Sequence, residues 1–331
     1  MSGKCEDQFM KTFKFYRARV PPPPLSKVID VDNAAFADKI TKLTFDNNVE
    51  QDDRLELLGL KPFAHWPVFT IKKHPGLIFI RNPFTSHGQR YWIRKCLEKY
   101  PRKPNKTNID IEVILEDWWE TCYEGHKCNI QLLKKLRWTT LGYHHNWDTK
   151  EYSEANRNNF PSELSELCDV VATYLGYNAF RAEAAIVNYY HMNSTLSAHT
   201  DHSEINLEAP LFSFSFGQSA IFLIGGEDKS TVPSAVLLQS GDILVMSKEA
   251  RLCYHAVPKI LSSPSSPWND NVEDIHTKDV PKFRYIYEKD VIVDMNSNQN
   301  NGNWSIFNGY VQESRINVNI RQVLNETQSR L

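Results

Sequence analysis

His199 and Asp201, in Ser197-Ala198-His199-Thr200-Asp201, place an imidazole and a carboxylate two residues apart. In a strand, side chains two apart point to the same face, so both can reach one metal ion. A third ligand must then come from a neighbouring strand. His255, in Arg251-Leu252-Cys253-Tyr254-His255-Ala256-Val257, follows with about three strands between. Two histidines and one carboxylate on one side of a metal leave three positions open, an arrangement suited to non-haem Fe(II) and oxygen chemistry. An H-x-D pair is common by chance in a chain with 11 histidines, so alone it also reads as a strand end with solvated polar residues.

The run Arg315-Ile316-Asn317-Val318-Asn319-Ile320-Arg321 sharpens the choice. Its apolar residues occupy one strand face; Arg315, Asn317, Asn319 and Arg321 occupy the other. An edge strand with a solvated polar face gives the same alternation, but such strands favour Thr, Lys and Glu. Two asparagines bracketed by two arginines suit a buried anion site, where one guanidinium clamps a carboxylate of a dicarboxylate ligand. Upstream, Asn188 and Tyr190 in Ile186-Val187-Asn188-Tyr189-Tyr190 share a face by the same parity, although a core-strand tyrosine is more often packing.

These residues need strands to hold them, and the texture after Gly176 supplies them. Phe212, Phe214 and Phe216 alternate with Ser213 and Ser215, and short apolar runs at 220–224, 235–238 and 243–246 are separated by Gly225-Gly226 and Gly241-Asp242. The spacing predicts antiparallel strands of a sandwich or jelly roll. Before Gly176, helical spacing predicts helices over 85–100, over 110–120, and from Ser162 to a stop at Gly176. Residues 1–80, with prolines at 21–24, read as an extension wrapped on the surface, and 261–310, with LSSPSSPWND and NSNQNNGN, as a turn-rich insertion between two core strands.

Composition sets limits. The 38 basic and 40 acidic residues of the 331 nearly cancel, which excludes holding a polyanion by bulk charge and leaves only local patches. Counted without tyrosine and with glycine, apolar residues make up about 41%, below the usual 45–50%. No apolar run approaches the roughly 18 residues of a bilayer span. Six scattered cysteines without C-x-x-C suggest neither a disulfide framework nor a zinc finger, and fit a reducing, intracellular compartment. The N-terminus lacks the apolar core of a secretory signal.

With N-x-Y, H-x-D, a distal His and R-x-N-x-x-x-R in this order, the chain resembles the AlkB-type Fe(II)/2-oxoglutarate-dependent dioxygenases, most nearly the AlkB homologue one branch of animals. SFSFGQSAIFLIGG, SGDILVMS, RLCYHAVPKI, RINVNIRQVL and RWTTLGYHHNWD carry the resemblance, which spans about residues 80–325. It implies an α+β fold: a double-stranded β-helix (jelly-roll, cupin-like) catalytic core at 176–325, a helical and substrate-lid region at 81–175, and an N-terminal extension at 1–80. It makes His199, Asp201 and His255 the Fe(II) ligands and places Asn188, Tyr190, Arg315, Asn317 and Arg321 around 2-oxoglutarate. It sets Trp138, Tyr143 and His145 in the lid over the substrate nucleotide and Lys229 at the pocket edge. Three positions depart from relatives: Asn319 for a frequent Thr, His145 for a usual Tyr, and Ser203 for an acidic residue that helps select the base.

The implied activity is oxidative demethylation of N-methylated bases (methyladenine in tRNA or N6-methyladenine in DNA) with O2, releasing formaldehyde and succinate. The base must be flipped or unpaired to reach the metal. A monomer without membrane contact, in nucleus, mitochondrion or cytoplasm, is expected. The tract Arg90, Arg94, Lys95, Lys99, Arg102, Lys103 and Lys106, extended by Lys134, Lys135 and Arg137, is expected to hold phosphates, although a solvated helix face is the usual fate of such a run. The alternatives are an oxygenase acting on histone-like protein substrates and an idle scaffold of the same fold.

Overall fold

A strand buried on both faces must be covered on both sides, and Leu211–Gly217, buried throughout, shows how this chain does it. The computed structural model describes residues 6–45, 52–124, 128–270, 280–296 and 304–331. Its strands are Ile40–Leu43 (β1), Val68–Ile71 (β2), Leu77–Ile80 (β3), Lys106–Thr107 (β4), Trp138–Gly142 (β5), Ala184–His191 (β6), Leu196–His199 (β7), Leu211–Gly217 (β8), Ser219–Ile224 (β9), Ser234–Leu238 (β10), Ile243–Met246 (β11), His255–Leu261 (β12) and Ser314–Arg321 (β13). They form a nine-stranded sheet, β1-β2-β3-β11-β8-β13-β6-β5-β4, and a four-stranded sheet, β10-β9-β12-β7, with antiparallel pairing throughout. The two sheets face each other as the expected jelly-roll core.

Parity divides the large sheet into two environments. Register pairs Arg315 with Tyr190, Asn317 with Asn188 and Ser215, and Asn319 with Ser213, so these polar residues share the face turned to the small sheet. Further along that face, Phe69, Phe79, Leu244 and Met246 meet Phe222, Ile224, Val236 and Leu238 of the small sheet. On the opposite face Val187, Phe212, Phe214, Ile316 and Val318 are covered by helices.

Three helices provide much of that cover: Ser86–Arg94 (α2), Trp118–Tyr123 (α3) and Ser162–Tyr174 (α5), with the short Ile130–Lys135 (α4) beside α3. Thr85 caps α2 by accepting from the Gly88 amide, and a π-helical turn over Lys95–Lys99 continues it to Tyr100. Gly88 lies so close to Gly59 that a Cβ on either would meet the other's backbone at about 2 Å. The helix expected over 110–120 is absent. Thr107 and Asp110 form a capping box on a single 3-10 turn, after which Ile111 (85% exposed) and Ile114 find no surface to bury, and helix resumes only at Trp118.

Residues before 80 are not a surface wrapping. Gln8–Arg17 (α1) buries Phe9, Phe13 and Tyr16 against Ile221, Leu223 and Ala256 on the outer face of the small sheet. Ile29 pairs with β10 through Ile29 N–H to Ala235 O and Leu237 N–H to Ile29 O, each 2.8 Å, and β1–β3 extend the large sheet. Likewise the 261–310 segment is more than turns. Trp268 is fully buried, Lys289–Asn296 (α6) buries Met295, and Trp304–Val311 (α7) stacks Phe307 on Trp119 at 4.9 Å. The stretches 1–5, 271–279 and most of the NSNQNNGN run (297–303) lie outside the described residues.

The placement of α1 predicts that Phe9→Ala, which empties a fully buried site, lowers unfolding free energy by about 3–5 kcal/mol. In urea unfolding the midpoint should fall; an unchanged midpoint would mean α1 adds nothing to the fold.

Candidate active site

The metal-ligand candidates meet where β7 and β12 pair. His199 and His255 are directly opposed in register, their ring centroids 4.2 Å apart. Strand β7 ends at His199, and Asp201 reaches back from two residues beyond to within 3.5 Å of His255 Nε2. Nδ1 of His199 lies 2.9 Å from Ser197 O, and Nδ1 of His255 lies 3.1 Å from Cys253 O. Each Nδ1–H therefore donates to a backbone carbonyl, which leaves both Nε2 lone pairs turned to the shared space. One ligand atom from each of the three residues lies within 4.8 Å of the others. Burial and the neighbouring His199 push His255 down to about 4, so it is neutral and able to ligate at neutral pH. Burial works against ionised Asp201, but Arg321 and both imidazoles outweigh it and hold the carboxyl well below its usual range.

A buried ionic chain braces this corner. Arg321 Nη2 donates to Asp201 Oδ1 at 2.9 Å and its Nε pairs with Glu204 Oε1 at 3.1 Å. Arg251 donates to the Asp201 carbonyl at 2.6 Å, to Ala209 O, and to Glu204 Oε2 at 3.0 Å. Tyr152 donates to Glu204 Oε1 at 3.1 Å. Glu204, Arg251 and Tyr152 were not singled out from sequence; only Glu204's closeness to the H-x-D pair and Arg251's to His255 hint at them.

At the other end of β13, Arg315 is 1% exposed. Its Nη2 donates to Ser215 Oγ at 2.9 Å, while among the described residues Nε and Nη1 have no partner, nor has the buried Tyr190 hydroxyl that faces it across the register. Burial lowers the Arg315 guanidinium to about 10 and raises the Tyr190 phenol to about 12. Asn317 donates to Ser213 Oγ and Phe214 O. A guanidinium and a phenol with free donors inside the jelly roll suit an incoming carboxylate.

A family description, the 2OG-Fe(II) oxygenase superfamily, matches residues 76–321. The chain belongs to that superfamily. The oxygenase is 38% identical to the mouse and human proteins named nucleic acid dioxygenase ALKBH1, over 96% of this chain and 84% of theirs. It is 33% identical to the Schizosaccharomyces pombe tRNA demethylase abh1 over 81% of this chain and 84% of that one. These relatives set it among the AlkB-type, ALKBH1-like enzymes. The family as a whole works with Fe(II), 2-oxoglutarate and O2.

The residues that the resemblance sets in a lid divide. Trp138, beside Asn188 in register, has Trp147 at 5.3 Å between centroids; His145 lies 4.7 Å from Trp147 and its Nε2 is 3.0 Å from Ser203 Oγ. Tyr143, expected beside Trp138 as a stacking surface, is instead 4% exposed and packs with Ala184, Val323 and Leu324. Arg157 covers its ring at 4.8 Å and donates to its hydroxyl. Gly142, with positive φ, ends the strand just before Tyr143 and redirects the chain there. Trp147, which is exposed, is the aromatic that spacing missed.

Lys229 also differs from expectation. Its Nζ lies over the Tyr254 ring at 5.1 Å and its carbonyl accepts from Phe9 N–H, which places it on the α1 side of the small sheet. The basic tract is engaged internally. Arg94 pairs with Asp294, Lys95 with Glu163, Arg102 with Asp117 and Lys103 with Asp110, Lys106 bonds Asn156, and Arg90 donates to Trp268 O. Lys99 pairs with Glu98, Lys135 with Glu112, and Arg137 donates to Ser194. As placed, this tract is a set of fold contacts.

His144 locks the lid turn as a neutral ring. Asn158 Nδ2 donates to Nε2 and Nδ1–H donates to Thr140 Oγ1, both at 2.7 Å, and burial pushes its pKa down to about 4. An unfolded histidine titrates near 6.5, so between these values the unfolded chain binds the extra proton. Stability from this site is full above pH 6.5 and is lost as pH falls toward 4, by up to about 3 kcal/mol. Urea unfolding of His144→Gln across this range should show a shallower pH slope than the parent; equal slopes would remove this histidine from the acid response.

Proposed function

We propose that this chain is an Fe(II)/2-oxoglutarate-dependent nucleic acid dioxygenase that removes methyl groups from N-methylated bases in tRNA or DNA. The observation that carries the reading is the pairing, inside one jelly roll, of a two-histidine, one-carboxylate cluster with a buried guanidinium that forms no ion pair among the described residues. His199 and His255 through Nε2, with Asp201, would hold the ion. The unpartnered donors of Arg315, with the Tyr190 hydroxyl, would take the distal carboxylate of 2-oxoglutarate, flanked by Asn188 and Asn317. When bound, Fe(II) with 2-oxoglutarate and O2 supplies hydroxylation of the N-methyl carbon; the hemiaminal then releases formaldehyde, and 2-oxoglutarate leaves as succinate and CO2.

The protein's own residues orient and shield. Arg321 keeps Asp201 ionised and aimed, and Arg251 fixes the backbone that carries it. Trp138, His145 and Trp147 offer the aromatic surface against which an unpaired base can rest. Nucleic acid as the substrate class is supported by what the relatives' names say they act on, and the choice between tRNA and DNA is open to the same assay.

The test supplies Fe(II), 2-oxoglutarate and O2 with methylated tRNA, single-stranded DNA, duplex DNA and histone-like peptides, following succinate, formaldehyde and methyl loss by mass spectrometry. Methyl loss from an unpaired nucleic acid is expected, and none from Asp201→Ala. Modification of a peptide alone overturns the demethylase reading, and equal turnover by Asp201→Ala overturns the enzyme reading. Arg315→Met should raise the KM for 2-oxoglutarate about 100-fold, the loss of about 3 kcal/mol of charge-assisted bonding, while Mn(II) binding by calorimetry is unchanged. An unchanged KM would dispose of the role given to Arg315.

A further inference from the structure

A groove of about 800 Å³ opens on the far side of the small sheet, between α1, residues 24–29, the β1 and β2 strand ends and residues 232–235. Phe15, Tyr16, Ile29 and Ile71 form its apolar floor, with Phe15 49% exposed. Five lysines line it, Lys11, Lys27, Lys39, Lys72 and Lys73, against one carboxylate, Asp38, an excess of four positive charges (5 − 1). All five are exposed. Lys11 pairs with Glu6 at 3.5 Å in a solvated contact of little strength. Lys73 donates to Val232 O, and Lys39 lies over Phe36. Among the described residues Lys27, Lys39, Lys72 and Lys73 form no ion pair. In the tract over 90–106, by contrast, Arg94, Lys95, Lys99, Arg102 and Lys103 each pair with a carboxylate of the same chain.

Unneutralised lysines around an apolar floor with an exposed aromatic ring are what an unpaired polynucleotide strand needs: cations along its phosphates and a face on which a base can stack. We propose that this groove is a second nucleic-acid contact, holding the backbone and one stacked base of a single-stranded segment away from the base being oxidised. The proposal rests on the nucleic-acid reading above and extends it to substrate length. Strand β10, which lines the groove through Ser234 and Ala235, is the edge of the small sheet opposite β7, which carries His199. Three strand spacings separate these edges, about 14 Å, which is a lower bound for a strand that must run over the surface between them. A trinucleotide whose central base is the one oxidised has one nucleotide on either side and does not reach the groove.

The test compares the full chain with the triple variant Lys27→Glu/Lys39→Glu/Lys72→Glu and with Phe15→Ala, all solvent-facing changes whose folding is checked by thermal unfolding. One probe is an unmethylated single-stranded 20-mer, followed by fluorescence anisotropy over a salt series. The other is turnover of an N-methylated trinucleotide. The triple variant should bind the 20-mer at least about tenfold more weakly, with its log–log salt slope reduced by about 2, and Phe15→Ala should lose about tenfold. Trinucleotide turnover should be the same in all three proteins. Equal 20-mer affinity in parent and triple variant overturns the groove whatever the turnover, as does a parent that binds polyglutamate there but no oligonucleotide. Loss of 20-mer binding in the variant, with no trinucleotide oxidised by any protein, leaves the groove standing and removes the demethylase reading.

Discussion

Two guanidiniums at opposite ends of one buried strand set the terms for the rest of the site. Arg315 and Arg321 both project into the jelly roll, where an uncompensated charge costs several kcal/mol. Arg321 is compensated from within, by Asp201 and Glu204. Arg315 meets a serine hydroxyl and an unbonded phenol, and among the described residues no carboxylate forms an ion pair with it. The asymmetry divides the interior. One end is closed by the protein's own charges and aims a carboxylate at two imidazoles; the other keeps a cation waiting for an anion from outside. A fold that sought only stability would fill the Arg315 position with an apolar side chain, as Leu244 and Met246 do further along the same sheet face.

Much of this was legible because strand parity is a local rule. The alternation in 315–321, the N-x-Y at 188–190 and the Phe/Ser alternation at 212–216 each specify a face without knowledge of the partner strand, and the faces observed are those faces. Ser213 and Ser215 illustrate the limit. Their alternation was plain, but that they would bond Asn317 and Arg315 depended on which strand lay beside them. Glu204 and Arg251 were hidden for a similar reason, since Glu204 meets Arg251, Arg321 and Tyr152 from distant parts of the chain.

The readings that failed are those in which composition stood in for packing. A proline run suggested a surface wrapping, yet the prolines at 21–24 occupy only a short stretch between α1 and the Ile29 pairing, both of which are buried against the small sheet. Polar runs in 261–310 masked Trp268, Trp304 and Phe307, whose burial supplies one wall of the helical layer. The basic tract failed differently. Glu163 and Asp294 lie far from Lys95 in sequence, so their ion pairs were invisible, and Arg90, Arg94, Lys95, Arg102, Lys103 and Lys106 are bonded to distant parts of the chain. Local charge density says where cations are along the chain, and only the fold says which of them are already neutralised.

The ionic chain also ties the lid to the metal corner. Tyr152 belongs to the segment that carries His145 and Trp147, and its hydroxyl ends on Glu204, the carboxylate shared by Arg251 and Arg321. His145 reaches the same loop through Ser203. The segment that carries Trp147 thus has two anchors, and both lie within three residues of Asp201. Since Arg321 bonds Asp201 and Glu204 together, a displacement of Glu204 cannot leave the ligand carboxylate untouched. The position of this segment and the aim of the Asp201 carboxylate are thus coupled through Glu204 and Arg321, and the His145–Ser203 contact is one of the two that make the coupling.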